Sequence, residues 1–190
     1  MESTHFNATA LPTHDGYSWT LTTRLGAILH EIEQKYGDRD LSWTILGVEF
    51  GPGSPQIWFP GNRKQVAVQR AANALNNTGI ACYQLAHECV HLLAPSGNGS
   101  APVLEEGLAT MFSEDHVNRE FGLTGLTNDA RYTAAASAVR DLYKLAPDAI
   151  QKLRNVEPAF RCMTPDTFIR ANLAVPRQLV DTLLSPFYGQ

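Results

Sequence analysis

The segment His87-Glu88-Cys89-Val90-His91 sets two imidazoles four residues apart. On a helix that spacing brings them to one face, close enough to bind a single Zn2+ at about 2.0–2.1 Å each. Glu88 follows the first histidine directly and points along the side of the helix where a water on such an ion would sit. A shuffled chain of this composition contains such a pentapeptide in roughly one case in a hundred, so two ordinary helical histidines are the competing reading. A third ligand decides between them, because a catalytic zinc takes three protein ligands and keeps a fourth position open for water.

A His or Asp six residues beyond His91 is one solution to the third ligand, but Gly97 stands there. The following helical pattern carries Leu104-Glu105-Glu106-Gly107-Leu108-Ala109 instead. Together with Tyr83-Gln84-Leu85-Ala86-His87-Glu88-Cys89-Val90-His91-Leu92-Leu93, this run resembles the gluzincin metallopeptidases, over residues 80 to 112. The resemblance implies one Zn2+ per chain, held by His87, His91 and Glu106, the Glu directly before Gly-Leu-Ala. It also implies a peptide or protein substrate, with Glu88 as the general base that takes the water proton and passes it to the leaving amine. Such enzymes hold substrate as an added strand on a sheet edge, and Gln65 to Gln69 is the candidate edge. Glu105 is the competing ligand; its other reading is a solvated first-turn carboxylate favoured by the helix dipole.

The resemblance extends to less specific positions. Thr110 stands where a polar residue steadies a zinc histidine, although a hydroxyl satisfied by its own helix backbone fits equally well. A Tyr or His from the C-terminal half stabilises the tetrahedral oxyanion in many gluzincins. Tyr132 is the candidate because its helix follows the ligand helix after a short loop, with Tyr143 and His116 as alternatives. Tyr83 reads as a wall of the site, and Cys89 as a small hydrophobe turned away from the metal. His5, His14 and His30 are assigned nothing. A non-catalytic, zinc-stabilised binding or regulatory module is the alternative function, against which the intact Glu88 argues.

Positioning these groups falls to an α+β architecture. Leu21, Leu25, Ile28, Leu29, Ile32 and Tyr36 recur at helical spacing from Trp19 to Tyr36, with Gly37 placed for a left-handed cap. Short β-prone runs follow at Leu41 to Phe50, Gln56 to Phe59 and Gln65 to Gln69, separated by Gly- and Pro-rich turns. Ile80 to Leu93 is the helix of the metal motif, halted by Pro95 and Gly97, and Val103 to Phe121 is the next. Further helices are expected at 129–145, 148–155, 165–173 and 176–184, the third opened by Thr164 and Pro165. Gly107 beside the ligand lets two helices approach closely despite its cost of about 1 kcal/mol inside a helix. The whole reads as zincin-like: a small N-terminal sheet with the active-site helix, then a helical C-terminal half.

Residues 1–17 read as a flexible lead-in and 18–190 as one domain, in keeping with a length of 190 residues. The net charge is -4, with 15 scattered Lys and Arg residues, which gives no basic footprint for nucleic acid. The N-terminus lacks a basic region followed by an apolar run, and no segment approaches the roughly 20 apolar residues of a membrane span. A cytoplasmic location is the expectation, although a protein exported without a cleaved signal would look the same. Cys82, Cys89 and Cys162 are read as reduced thiols, the first two lying too far apart on one helix for a disulfide.

Overall fold

Apolar side chains at helical spacing build the first element. The structure, a computed structural model, describes residues 20–97 and 100–188. Helix α1 runs Leu21–Tyr36 and buries Leu25, Ile28, Leu29, Ile32 and Tyr36. Its N-terminus is closed by a capping box: the Thr23 backbone N–H donates to Thr20 Oγ1 at 3.0 Å, and the Thr20 N–H to Thr23 Oγ1 at 2.9 Å. Gly37 ends it at φ 91°, ψ 168°, a positive φ as glycine allows but outside the left-handed helical region expected there. The lead-in 1–17, with His5 and His14, and Trp19 lie outside the described residues.

Three strands follow, β1 Thr44–Gly51, β2 Gln56–Trp58 and β3 Gln65–Ala71. Among the described residues they form one sheet in the order β1-β3-β2, with β3 parallel to β1 and antiparallel to β2. The expected substrate edge at Gln65 to Gln69 is therefore corrected: β3 is the central strand and has no free edge. Its run of fully buried Val66, Ala67 and Val68 is what a strand enclosed on both sides requires. β2 is an edge strand.

Helix α2 (Thr78–His91) is capped by Asn77, whose Oδ1 accepts from the Ile80 N–H at 2.9 Å. It is the most enclosed helix of the site, with Cys82, Leu85, Ala86, Cys89 and Val90 fully buried. Helix α3 spans Val103–Phe121, the range its sequence pattern marks, and ends on Gly122 in the left-handed conformation, φ 65°. Helices α4 (Ala130–Leu145), α5 (Ala149–Val156), α6 (Pro165–Arg170) and α7 (Arg177–Leu184) complete the helical half. The architecture is α+β. Cys82, Cys89 and Cys162 are free. Among the described residues, no helix is long and apolar enough to cross a membrane.

Two contacts hold these elements around the site. A Cβ built on Gly107 would stand 2.3 Å from the Ala135 carbonyl oxygen and 2.8 Å from Val139 Cγ2, so α3 lies against the backbone of α4 at this point. The second contact is Arg154 on α5, only 4% exposed. Its guanidinium donates to the carbonyls of Tyr36 (2.8 Å), Gly37 (2.7 Å) and Asp38 (2.7 Å) beyond α1, and to Leu93 (3.5 Å) beyond α2.

The Gly107 contact makes a testable statement. An alanine there gains about 1 kcal/mol of helix propensity. The added methyl meets backbone, which cannot rotate away, and overpacking of this kind costs about 1–3 kcal/mol. Gly107→Ala is expected to be net destabilising, read as a lower urea midpoint with an unchanged slope.

Candidate metal centre

His87 and His91 lie one turn apart near the end of α2, with ring centroids 5.2 Å apart, and face the first turn of α3. There the Glu106 carboxylate approaches both: Oε2 is 3.2 Å from His87 Nε2 and 3.7 Å from His91 Nε2. One ligand atom from each of His87, His91 and Glu106 falls within 4.8 Å of the others. Donors about 2.0–2.1 Å from a tetrahedral ion stand about 3.3 Å apart, so the spacing of these nitrogens and oxygen, and their chemistry, suit a zinc-sized cation. The partial positive charge at the α3 N-terminus further favours the carboxylate.

Glu105 departs from expectation. It is 5% exposed, not a solvated carboxylate, and His91 Nδ1 donates to its Oε1 at 2.8 Å. It thereby stands behind the ligand instead of competing with Glu106 for the metal. An acceptor on Nδ1 fixes the ring and turns the Nε2 lone pair toward the metal position. Thr110 takes no such part, because its hydroxyl donates to the Glu106 backbone carbonyl at 2.8 Å.

The electrostatics follow from this crowding. Burial alone pushes the His91 pKa down, but the Glu106 charge and the hydrogen bond to Glu105 override it and raise it to about 10. Burial pushes Glu106 up, but His91 and His87 outweigh that and hold it below the usual carboxylate value. Behind α2 lies Arg70 of β3, with no exposed surface; burial pulls its guanidinium down to about 10, while the Glu88 charge acts the other way. Arg70 donates to the Ala81 carbonyl at 3.4 Å and the Gln69 carbonyl at 3.2 Å.

Glu88 is 5% exposed and borders both cavities that meet at the triad, one of about 490 Å³ and one of about 380 Å³. Tyr132 on α4 borders both as well, with its ring 5.7 Å from that of His87. Its phenol shares a 2.8 Å hydrogen bond with the Tyr188 hydroxyl, and burial first, then this bond, raises its pKa well above that of free tyrosine. Tyr83 lines the smaller cavity and shares a 2.8 Å hydrogen bond with Thr127. Two residues weighed beside Tyr132 are placed elsewhere. His116 stacks on Phe112 and faces Arg119 and Glu31, and Tyr143 lines a separate cavity with Tyr36.

Tyr188 was not foreseen. Residues 185–187 return to the start of α3: the Val103 N–H donates to the Ser185 carbonyl at 2.9 Å, the Phe187 N–H to the Ala101 carbonyl at 3.0 Å, and Pro102 bridges to Pro186. The Phe187 ring packs against Tyr132 at a tilt of 52°, centroids 4.6 Å apart. No local pattern announces a pairing across more than eighty residues of chain. Glu105 carried a signal, since two adjacent carboxylates opposite two histidines can serve both nitrogens of one ring. No family of known proteins, no curated protein and no solved structure matches the chain, so the site is read from its own geometry.

Two outcomes are expected in metal titrations. Glu106→Ala removes one of the three clustered donors and should abolish most metal affinity, whereas Glu105→Ala removes only the group behind His91 and should weaken it by about 10–100-fold. Retained affinity in Glu105→Ala would show the His91 contact to be incidental. The raised His91 pKa supplies the second outcome. A folded pKa above the unfolded value of about 6.5 gives stability that is complete below pH 6.5 and lost as pH rises through about 10. Zinc requires the neutral ring, so at pH 7 binding should expel about one proton from His91. Affinity should rise with pH toward 10, and calorimetry in buffers of different ionisation enthalpy counts the proton.

Proposed function

We propose that the chain is a zinc-dependent peptidase of zincin-like fold, acting on peptide or protein substrates. The observation that carries this reading is the convergence of the His87, His91 and Glu106 donors with the Glu88 carboxyl on one open cavity. Glu88 is a neighbour of the donor cluster and not part of it, which leaves its carboxylate for proton transfer. When bound there, zinc lowers the pKa of coordinated water toward about 7 and polarises a carbonyl.

The chain's own residues supply the rest. Glu88 accepts the proton of the attacking water and returns it to the leaving amine. Glu105 holds His91 in the tautomer that presents Nε2. Tyr132 keeps its proton through the neutral range and can donate a hydrogen bond to the oxygen that gains charge in the tetrahedral state. Tyr188, hydrogen-bonded to Tyr132, fixes where that phenol points. Along one side runs β2, whose outer edge pairs with no strand among the described residues and whose Gln56 and Ile57 border the cavity. That edge, and not the one first expected, suits an added peptide strand.

Glu88→Gln keeps the shape of the side chain but cannot accept a proton. It should fold, bind zinc stoichiometrically and lose about 10²–10⁴-fold in hydrolysis rate. Proteomic comparison of cells carrying wild type or this variant identifies the substrate. If Glu88→Gln cleaved it at the wild-type rate, a zinc-stabilised binding module would replace the peptidase.

A further inference from the structure

Building on the peptidase reading, we infer that the smaller cavity takes a basic side chain of the substrate, and that Thr127 and Glu114 make Tyr83 the acceptor that selects it. The direction of each hydrogen bond follows from the surface inward. Arg140 on α4 donates to Glu114 Oε2 at 3.1 Å, and a carboxylate in such a pair can only accept. Thr127 Oγ1 lies 2.7 Å from Glu114 Oε1, so its single hydroxyl proton points there. That leaves only lone pairs for the Tyr83 hydroxyl, 2.8 Å away. The Ser113 hydroxyl also lies beside the Tyr83 phenol, and its own proton is directed to the Thr110 carbonyl at 2.9 Å. Both hydroxyls can therefore take the Tyr83 proton, and neither can give it one. Tyr83 and Thr127 both border the smaller cavity, so their joined hydroxyls lie at its wall. What the phenol oxygen offers to an occupant is a lone pair.

The rest of the cavity suits the same class of occupant. Pro55, Tyr83, Tyr132 and Tyr188 border it, giving apolar and aromatic surface on which the methylene stem of arginine or lysine can pack. Among the described residues, the carboxylates Glu88 and Asp129 border it and no lysine or arginine does. The rim already holds one guanidinium: Arg131 donates to Asp129 at 2.8 Å and lies 5.4 Å from the centre of the Tyr188 ring. Because that pair offsets its own charge, Tyr83 is the group that separates donors from acceptors inside. A guanidinium or ammonium carries N–H donors and no lone pair, so it meets the Tyr83 oxygen as a partner. A glutamate side chain sets lone pairs against a lone pair, and a hydrocarbon leaves the oxygen without a partner. Hydrogen bonds to charged groups of this kind discriminate by about 10–100-fold. Since the cavity also borders His87 and Glu88, the side chain it holds belongs to a residue beside the cleaved bond.

The test digests mixed-sequence peptides with the zinc-loaded wild type, with Glu88→Gln as the blank, and identifies the products by mass spectrometry. Arginine or lysine should stand at one fixed position beside the cut, with norleucine and glutamate disfavoured there by about 10–100-fold in kcat/KM. Tyr83→Phe removes the accepting oxygen. Glu114→Gln offers Thr127 an amide N–H, which lets the Thr127 proton turn to Tyr83 and the Tyr83 proton turn to the cavity. Each variant should lower the preference for arginine over norleucine about tenfold, and Glu114→Gln should also admit glutamate more readily. The ratio is measured on one preparation of each variant, so a folding defect cancels from it. A second readout needs no turnover: a fluorescent arginine peptide should bind zinc-loaded Glu88→Gln more tightly than its norleucine counterpart, and lose that advantage once Tyr83→Phe or Glu114→Gln is added. Cleavage without a basic preference overturns the inference while the peptidase stands. A preference kept in Tyr83→Phe overturns the acceptor, and one kept in Glu114→Gln overturns the relay. If no zinc- and Glu88-dependent cleavage occurs but the arginine peptide keeps its Tyr83-dependent advantage in binding, the peptidase reading falls and the cavity assignment stands. Loss of both overturns both.

Discussion

Two imidazoles and two carboxylates pressed together between α2 and α3 impose the condition that the neighbouring structure has to meet. Glu88, Glu105 and Glu106 are each under a tenth exposed, and the buried Arg70 brings a permanent positive charge toward Glu88 from behind. Burying so much negative charge is unfavourable unless it is compensated. Part of that compensation comes from His91, whose pKa the neighbouring Glu106 and Glu105 raise to about 10 against the effect of burial. The centre is thus electrostatically set for a cation even though its backbone is already in place.

That backbone is held from several directions. β3 lies under α2 and carries Arg70, and the glycine contact at Gly107 brings α4 close enough for Tyr132 to reach His87. Segment 185–187 pairs with the residues leading into α3, so the first turn that carries Glu105 and Glu106 is fixed by backbone hydrogen bonds as well as by helix packing. The clustered donors and Glu88 therefore come from helices, while the cavity beside them is bordered by loop and edge-strand residues as well. This division suits a site whose chemistry must be rigid and whose selectivity can vary.

Local signals were read well and long-range ones poorly, for a physical reason. Helix boundaries depend on nearby groups, so Pro102 and Gly122 delimit α3, and Thr164 with Pro165 opens α6 with a capping box. The three strands are likewise visible in composition. Their order is not, because a three-residue β2 gives no hint that it will take the outside of β3, although the fully buried Val66-Ala67-Val68 run pointed to a central strand. His87, His91 and Glu106 were legible because helical spacing and one adjacent helix bring them together. The inward role of Glu105 depends on which way α3 rotates against α2. Tyr188 depends on a chain return that composition does not encode.

Arg154 carries a consequence for how the molecule assembles. The carbonyls it binds close α1 and α2, yet the arginine itself follows Tyr36 by 118 residues. Loop closure over such a separation is slow, because its entropy is lost before any contact offsets it. Docking of α5 exchanges the water on the carbonyls at the ends of the first two helices for the Arg154 guanidinium. Helix α2 can form early, but the position of its end is settled only when α5 has been folded against it. The N-terminal sheet half and the helical half are consequently tied together at this arginine, so that losing a guanidinium far from His87 and His91 should loosen the geometry of the donor cluster.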